Sequence, residues 1–214
     1  MSRALEAVKN GEAVGAVSAG NTGALMALAM LHVKRIEGIA RPAIAALWPT
    51  VHGQSVVLDV GANVGSEARH LVDFAVMGAA FARNVLGLKT PSLGLLNIGA
   101  EEVKGNEAVK LAAQTLRESG LDIAFAGFVE GDDIGAGTVD VVVTDGYTGN
   151  IALKTAEGTA KLISHYLRQA LSRSLQHCRR CGATTTARRP TSRAFDANAR
   201  TRLIRTTSDT MFRA

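Results

Sequence analysis

Four stretches of this chain pair glycine with asparagine directly after an apolar run. They are Ser18-Ala19-Gly20-Asn21-Thr22-Gly23, Asp59-Val60-Gly61-Ala62-Asn63, Asn97 to Asn106, and Asp145-Gly146-Tyr147-Thr148-Gly149-Asn150. The third is the richest in reactive side chains: after Leu93-Gly94-Leu95-Leu96 come Asn97, Gly99, Glu101, Glu102, Lys104, Gly105 and Asn106, then a helical pattern. That order reads as strand, tight turn and helix start, where polar groups collect outside the carboxyl end of a parallel strand. Exposed backbone N–H groups at a helix start suit an anion, and Lys104 adds a full positive charge. Four turns of one form predict one shared pocket. Each residue also has a local role open to it: Asn21 or Thr22 as a helix cap, Asp59 and Asn63 in turn formation.

Several chemistries lack their sequence signature. There is no G-x-x-x-x-G-K-[ST] phosphate loop and no G-x-G-x-x-G, which lowers the odds of a nucleotide or dinucleotide cofactor. No G-x-S-x-G elbow supplies a nucleophilic serine. Cys178 and Cys181 form a lone C-x-x-C beside His177, with no second pair to complete a zinc site, so they read as incidental thiols and no metal is expected. What remains are parts for holding phosphate and stabilising an oxyanion, not for covalent catalysis.

The elements that must position these turns alternate between strand and helix patterns. A helix is expected over Ala4–Lys9, stopped by Asn10-Gly11, and then a short apolar run, Ala13–Val17, leads into the first turn. The following helix, about Ala24 to Lys34, is apolar nearly all round and is expected to be buried. Ala43–Trp48 and Ser55–Val60 are too closely connected to be parallel neighbours and predict a hairpin. Glu67 to Val85 is helical, with Gly78 and flanking alanines suited to a close sheet or subunit contact. Ile123–Val129 and the β-branched run Val139–Thr144 are strands, and a last helix is expected from about Ile151 to Leu171. The pattern predicts an α/β fold with a mostly parallel sheet, covered on both faces, and one local antiparallel hairpin.

Composition places this domain at residues 1–172, followed by an Arg- and Thr-rich tail, 173–214. Ten arginines against two acids give that tail +8, which leaves −3 on the first 172 residues of a chain whose net charge is +5. The basic character therefore belongs to the tail and gives the body no nucleic-acid face. The tail has hardly any apolar periodicity, so disorder is expected there; its abrupt onset also resembles translation in a shifted reading frame. No secretory signal and no apolar run of spanning length is evident, which predicts a cytoplasmic protein.

The motifs also carry a resemblance. Ser18-Ala19-Gly20-Asn21-Thr22-Gly23-Ala24, Arg41-Pro42-Ala43-Ile44, Leu58 to Asn63, Gly94 to Gly99, Lys104-Gly105-Asn106-Glu107, Phe128-Val129-Glu130-Gly131, Asp145 to Asn150 and Leu153 to Gly158 occur in one order. The set resembles the bacterial phosphate acyltransferases, over the chain from its start to about residue 170. The resemblance implies a Rossmann-like three-layer α/β/α fold and a homodimer without organic cofactor. The implied reaction joins the acyl group of a fatty acyl-ACP to inorganic phosphate, giving acyl phosphate and opening phospholipid synthesis. It further implies peripheral contact with the inner face of the membrane and a glycerol-3-phosphate acyltransferase downstream. In that reaction Lys104 is assigned to phosphate or developing negative charge, and Asn150 and Asn97 to hydrogen-bond donation. Asn21, Thr22, Gly23, Asn63, Gly99 and Asn106 would line the phosphate pocket, with Asp59 orienting an asparagine or Lys104.

Departures from the family's pattern accompany the match. The family opens with a strand and an Asp-x-Met-Gly-Gly-Asp turn that would precede Met1, so the sequence is expected to start inside the domain. Gly65-Ser66 stand where the family usually has Asp-Cys, and the Arg-rich tail replaces further helices, a membrane-touching hairpin and final strands. Two readings from other classes follow: an inactive fragment retaining a dimer or ACP-binding surface, or a nucleic-acid-binding module acting through the tail. ACP is acidic, and Lys34, Arg35 and Arg41 form the best basic cluster on the body.

Overall fold

The continuous apolar runs become the centre of a five-stranded sheet. The computed structural model describes residues 1–180, with side chains to residue 172. Its strands are β1 (Ala45–Thr50), β2 (Gly53–Leu58), β3 (Ser92–Leu96), β4 (Ala124–Val129) and β5 (Val141–Val143). They lie in the order β1-β2-β5-β3-β4. The four strands from β2 to β4 are parallel, and β1 returns antiparallel on β2 through a turn at Val51 and His52. Every residue of β5 is buried, as are Val56, Val57 and Leu58 of β2 and Leu93 to Leu96 of β3. Burial of consecutive residues means burial of both faces, the reason these strands read as unbroken apolar runs and not as alternation.

Helix α3 (Ala68–Leu86) covers one face. Its start is fixed reciprocally: the Glu67 side chain accepts from the backbone N–H of His70, and His70 Nδ1 accepts from the N–H of Glu67 at 3.1 Å. Its end is Gly87 in the left-handed conformation, φ 73°. Between them Leu71, Phe74, Ala75, Gly78 and Ala82 face the sheet. A Cβ on Gly78 would lie 2.6 Å from both Leu58 and Val141, so of the two contacts expected for this glycine the structure shows the one with the sheet. Helix α4 (Glu107–Glu118) packs beside α3 through Val109, Ala112, Ala113 and Leu116. A short helix, α5 (Gly131–Ala136), follows β4, and Thr50 of β1 packs where a side chain on Gly137 would stand.

The start of the chain departs from expectation. Helices α1 (Ser2–Lys9) and α2 (Thr22–His32) pack on each other, but the run Ala13–Val17 forms no strand, and Val14 and Val17 are fully exposed. No residue of α2 is buried, and Leu31 is 70% exposed. The expectation that this helix is buried is therefore corrected. An apolar pattern reports that a surface gains from burial, not that a partner surface lies against it.

The described residues fall into two units, 1–150 and 151–180. The last helix, α6 (Gly146–Arg180), starts at Gly146, five residues before the expected Ile151, because Asp145 caps it. Within the second unit it exposes Leu162, Ile163, Tyr166, Leu167 and Leu171. The tail from residue 181, including Cys181, lies outside the described residues, as does the side chain of Cys178. No helix among the described residues is long and apolar enough to cross a membrane.

Candidate active site

Parallel strands put all their carboxyl ends at one sheet edge, and three of the four Gly/Asn turns leave from that edge. The turn after β2 and the turn after β5 come from neighbouring strands and are built into one another. At their centre is Asp59, fully buried. Its Oδ1 accepts from the backbone N–H of Ile44 (3.1 Å), Gly61 (3.2 Å) and Ala62 (2.8 Å). Its Oδ2 accepts from the backbone N–H of Asn63 and from Asn63 Nδ2, both at 2.8 Å. A buried carboxylate is tolerated when its lone pairs are filled in this way. Asn63 Nδ2 also donates to the Pro42 carbonyl at 2.8 Å, tying in the segment before β1.

The β5 turn closes over this hub. Gly146 N–H donates to the Asn63 carbonyl at 2.8 Å. A Cβ on Gly146 would lie 2.5 Å from that oxygen and 2.8 Å from Asp59 Oδ2, and one on Gly149 would collide with the Asp59 carbonyl. The glycines of Asp145-Gly146-Tyr147-Thr148-Gly149-Asn150 are thus required for close approach of two backbones. Asp145 accepts from Thr148 N–H at 3.0 Å and from Thr148 Oγ1–H at 2.6 Å, which starts α6. The start of α6 then carries Asn150 against Gly61, where a Cβ would meet its amide at 3.5 Å. Asn150 is exposed, and among the described residues neither end of its amide is committed to a protein partner.

The loop after β3 leaves the same edge from the strand next to β5, one strand spacing (roughly 5 Å) from β5 and two (roughly 10 Å) from β2. Asn97 closes it, donating through Nδ2 to the carbonyls of Gly99 and Lys104, both at 3.1 Å. Both amide hydrogens of Asn97 are thereby used within the loop. Gly105, at φ 92°, packs so closely on Asn97 that a side chain there would overlap it. Asn106 Oδ1 accepts from Val109 N–H at 2.9 Å and caps α4. The backbone N–H groups of Ile98, Gly99 and Ala100 have no protein acceptor among the described residues. Lys104 is exposed, and its ammonium lies 2.8 Å from Glu101 Oε1. The hydrogen bond to Glu101 holds the Lys104 ammonium above the ordinary lysine range, and the same bond holds the Glu101 carboxyl below the usual carboxylate range.

The first turn is placed differently from the other three. It leaves no strand, and Asn21 Oδ1 accepts from Ala24 N–H at 3.1 Å as the cap of α2, with Thr22 and Gly23 exposed in its first turn. The structure therefore brings Asp59, Asn63 and Asn150 together, and separately Asn97, Gly99, Lys104 and Asn106. Asn21, Thr22 and Gly23 stand apart from both groups in the bonds they make. Sequence reasoning passed over Glu101, whose pairing with Lys104 is one of several an acid near a lysine can make. It also passed over the link from Arg41 Nη1 to the Gly65 carbonyl at 3.3 Å, which fastens the basic segment to the Asp59 turn. Among the described residues no three His, Cys, Asp or Glu side chains converge as metal ligands would.

The sequence matches the family described as fatty acid synthesis protein over residues 1–179. The chain belongs to that family. Its relatives include a phosphate acyltransferase of Parvibaculum lavamentivorans, 64% identical over 172 residues, which span 80% of this chain and 48% of the relative. Another, from Xanthobacter autotrophicus, is 62% identical over 174 residues, 81% of this chain and 49% of the relative. The chain thus spans about half the length of the curated relatives it matches. Among solved structures, a phosphotransacetylase from Streptococcus pyogenes aligns with a TM-score of 0.60 at 20% identity, covering 75% of this chain and 55% of that one. A branched-chain phosphotransacylase from Enterococcus faecalis aligns at 0.54 and 18%, covering 72% and 62%. At those identities the likeness concerns the fold, and it agrees with the α/β architecture and mixed sheet of this family member.

Proposed function

We propose that the chain carries the phosphate-binding part of an enzyme that transfers a fatty acyl group from an acyl-ACP thioester to inorganic phosphate. The observation that supports this most strongly is the loop Asn97–Asn106, with uncommitted backbone N–H groups and Lys104 at the carboxyl edge of a parallel sheet. Relatives named phosphate acyltransferase share about three-fifths of the chain's residues over the 172 and 174 residues matched.

The chemistry asks little of the protein as a base. Phosphate is already an anion near neutral pH, so its oxygen can attack the thioester carbonyl directly. A tetrahedral oxyanion forms, the C–S bond breaks, and the proton of hydrogen phosphate passes to the departing thiolate. The products are acyl phosphate and the free carrier thiol. Alignment and oxyanion stabilisation are then the protein's work, and one oxyanion donor contributes roughly 3–4 kcal/mol. Lys104 and the N–H groups of residues 98–100 suit phosphate. Asn150, with a free amide, suits the oxyanion. Asp59 cannot face a bound anion and acts by holding Asn63 and the Gly146 turn in place. The reading extends to a homodimer, peripheral membrane contact and a glycerol-3-phosphate acyltransferase that receives the product.

The test is direct assay of acyl phosphate from acyl-ACP and labelled phosphate by the purified chain. Phosphate-dependent product supports an enzyme. Carrier binding without product favours the second reading, an inactive fragment that keeps an ACP or dimer surface.

A further inference from the structure

The exposed Lys104 ammonium already has one anionic partner, the Glu101 carboxylate at 2.8 Å. The surrounding loop is shaped to bring the two together. Asn97 fixes the backbone before and after them by its bonds to the Gly99 and Lys104 carbonyls, and Lys104 N–H donates to the Glu101 carbonyl at 3.1 Å. A Cβ on Gly99 would lie 2.6 Å from Glu101 Oε2 and 2.9 Å from Lys104 Nζ, so the missing side chain leaves the space in which the pair meets. The adjacent acid points elsewhere: Glu102 pairs with Arg117 of α4 at 2.9 Å. One acid anchors the loop to its helix, and the other sits on the lysine.

A carboxylate and a phosphate oxygen are the same kind of acceptor for an ammonium group. We propose that Glu101 is a built-in competitor for phosphate, occupying on Lys104 the position the substrate takes and thereby setting its affinity and its preference for a doubly charged anion. This inference rests on the assignment of Lys104 to phosphate. A monoanion exchanges one carboxylate for one equivalent charge and gains little, whereas hydrogen phosphate brings a second charge and further acceptors for the N–H groups of residues 98–100. Glu130, which adds to the negative field at Lys104, raises the same barrier against weak anions.

The experiment is a titration of the full chain with inorganic phosphate at constant ionic strength, repeated with acetate, for wild type, Glu101→Gln, Glu102→Gln and Lys104→Ala. Glu101→Gln should tighten phosphate by about two- to fivefold, the range an exposed ion pair can supply, and should narrow the margin over acetate. Glu102→Gln should match wild type. A Glu101→Gln protein that binds phosphate no better than wild type, while Lys104→Ala binds worse, overturns the competitor role and leaves the Lys104 assignment standing. Unchanged phosphate binding in Lys104→Ala, or binding by neither wild type nor Glu101→Gln, removes both. A titration of the methyl-labelled Lys104 amine gives an independent check. Its pKa should fall towards the ordinary lysine value in Glu101→Gln, and no change would mean that the pair does not form in solution.

Discussion

The two groups of turns at the carboxyl edge of the sheet are built on opposite principles. Around Asp59 both carboxylate oxygens are filled, the carboxylate is buried, and two backbones approach closely enough that Gly146 and Gly149 admit no side chain. In the loop from Asn97 to Asn106 the backbone is clipped together, but Lys104 and Glu101 are exposed and paired with each other. Buried, satisfied networks resist rearrangement, while an exposed ion pair exchanges partners at little cost. The first region is a fixture and the second is an arm.

Substitutions can break that contrast. Asp59→Ala would leave several buried N–H donors unpaired at about 1–3 kcal/mol each, so a loss of at least about 3 kcal/mol in urea unfolding is expected. A loss below about 1 kcal/mol would mean that water replaces the carboxylate and the hub is not closed. Gly149→Ala should cost about 1–3 kcal/mol, since its Cβ meets backbone that cannot move. Gly99→Ala meets only the flexible ends of Lys104 and Glu101, and should leave the urea midpoint unchanged while disturbing phosphate binding. Equal destabilisation by the two alanines would erase the distinction.

Activity should divide the other way. Lys104→Ala and Asn150→Ala are each expected to lower acyl phosphate formation by more than about tenfold without moving the unfolding midpoint. Near-full turnover by either removes that residue from the mechanism. The smallest effect concerns pH. Glu101 ionises below its ordinary 4.5 and Lys104 deprotonates above its ordinary 10.5, each because of the other. The pair is therefore lost only as pH falls through the depressed Glu101 value or rises through the elevated Lys104 value. Between about pH 6 and pH 9 the phosphate KM should follow the ionisation of phosphate alone. An additional inflection in that window would show that Lys104 or Glu101 is held differently.

The sheet was legible because its central strands are covered on both faces and so leave unbroken apolar runs, and because the link from Trp48 to Ser55 is too short for a parallel crossover. Capping by Asn106 was legible because its signal is local. The collision that keeps Gly149 free of a side chain was not, since it depends on Asp59, far away in sequence. Nor was the exposure of α2, whose composition is that of a buried helix. The Glu101–Lys104 pair lay between these cases: spacing permits it, but only the Asn97 clip and the space at Gly99 select it over pairing with Glu102.

The proposed function depends above all on Lys104 as the phosphate ligand of an exchangeable arm. Its most direct test is the phosphate affinity of the full chain with and without the lysine, measured beside urea unfolding of both proteins. Binding weakened by about tenfold or more at an unchanged unfolding midpoint is the predicted result. Equal affinity in Lys104→Ala would contradict it.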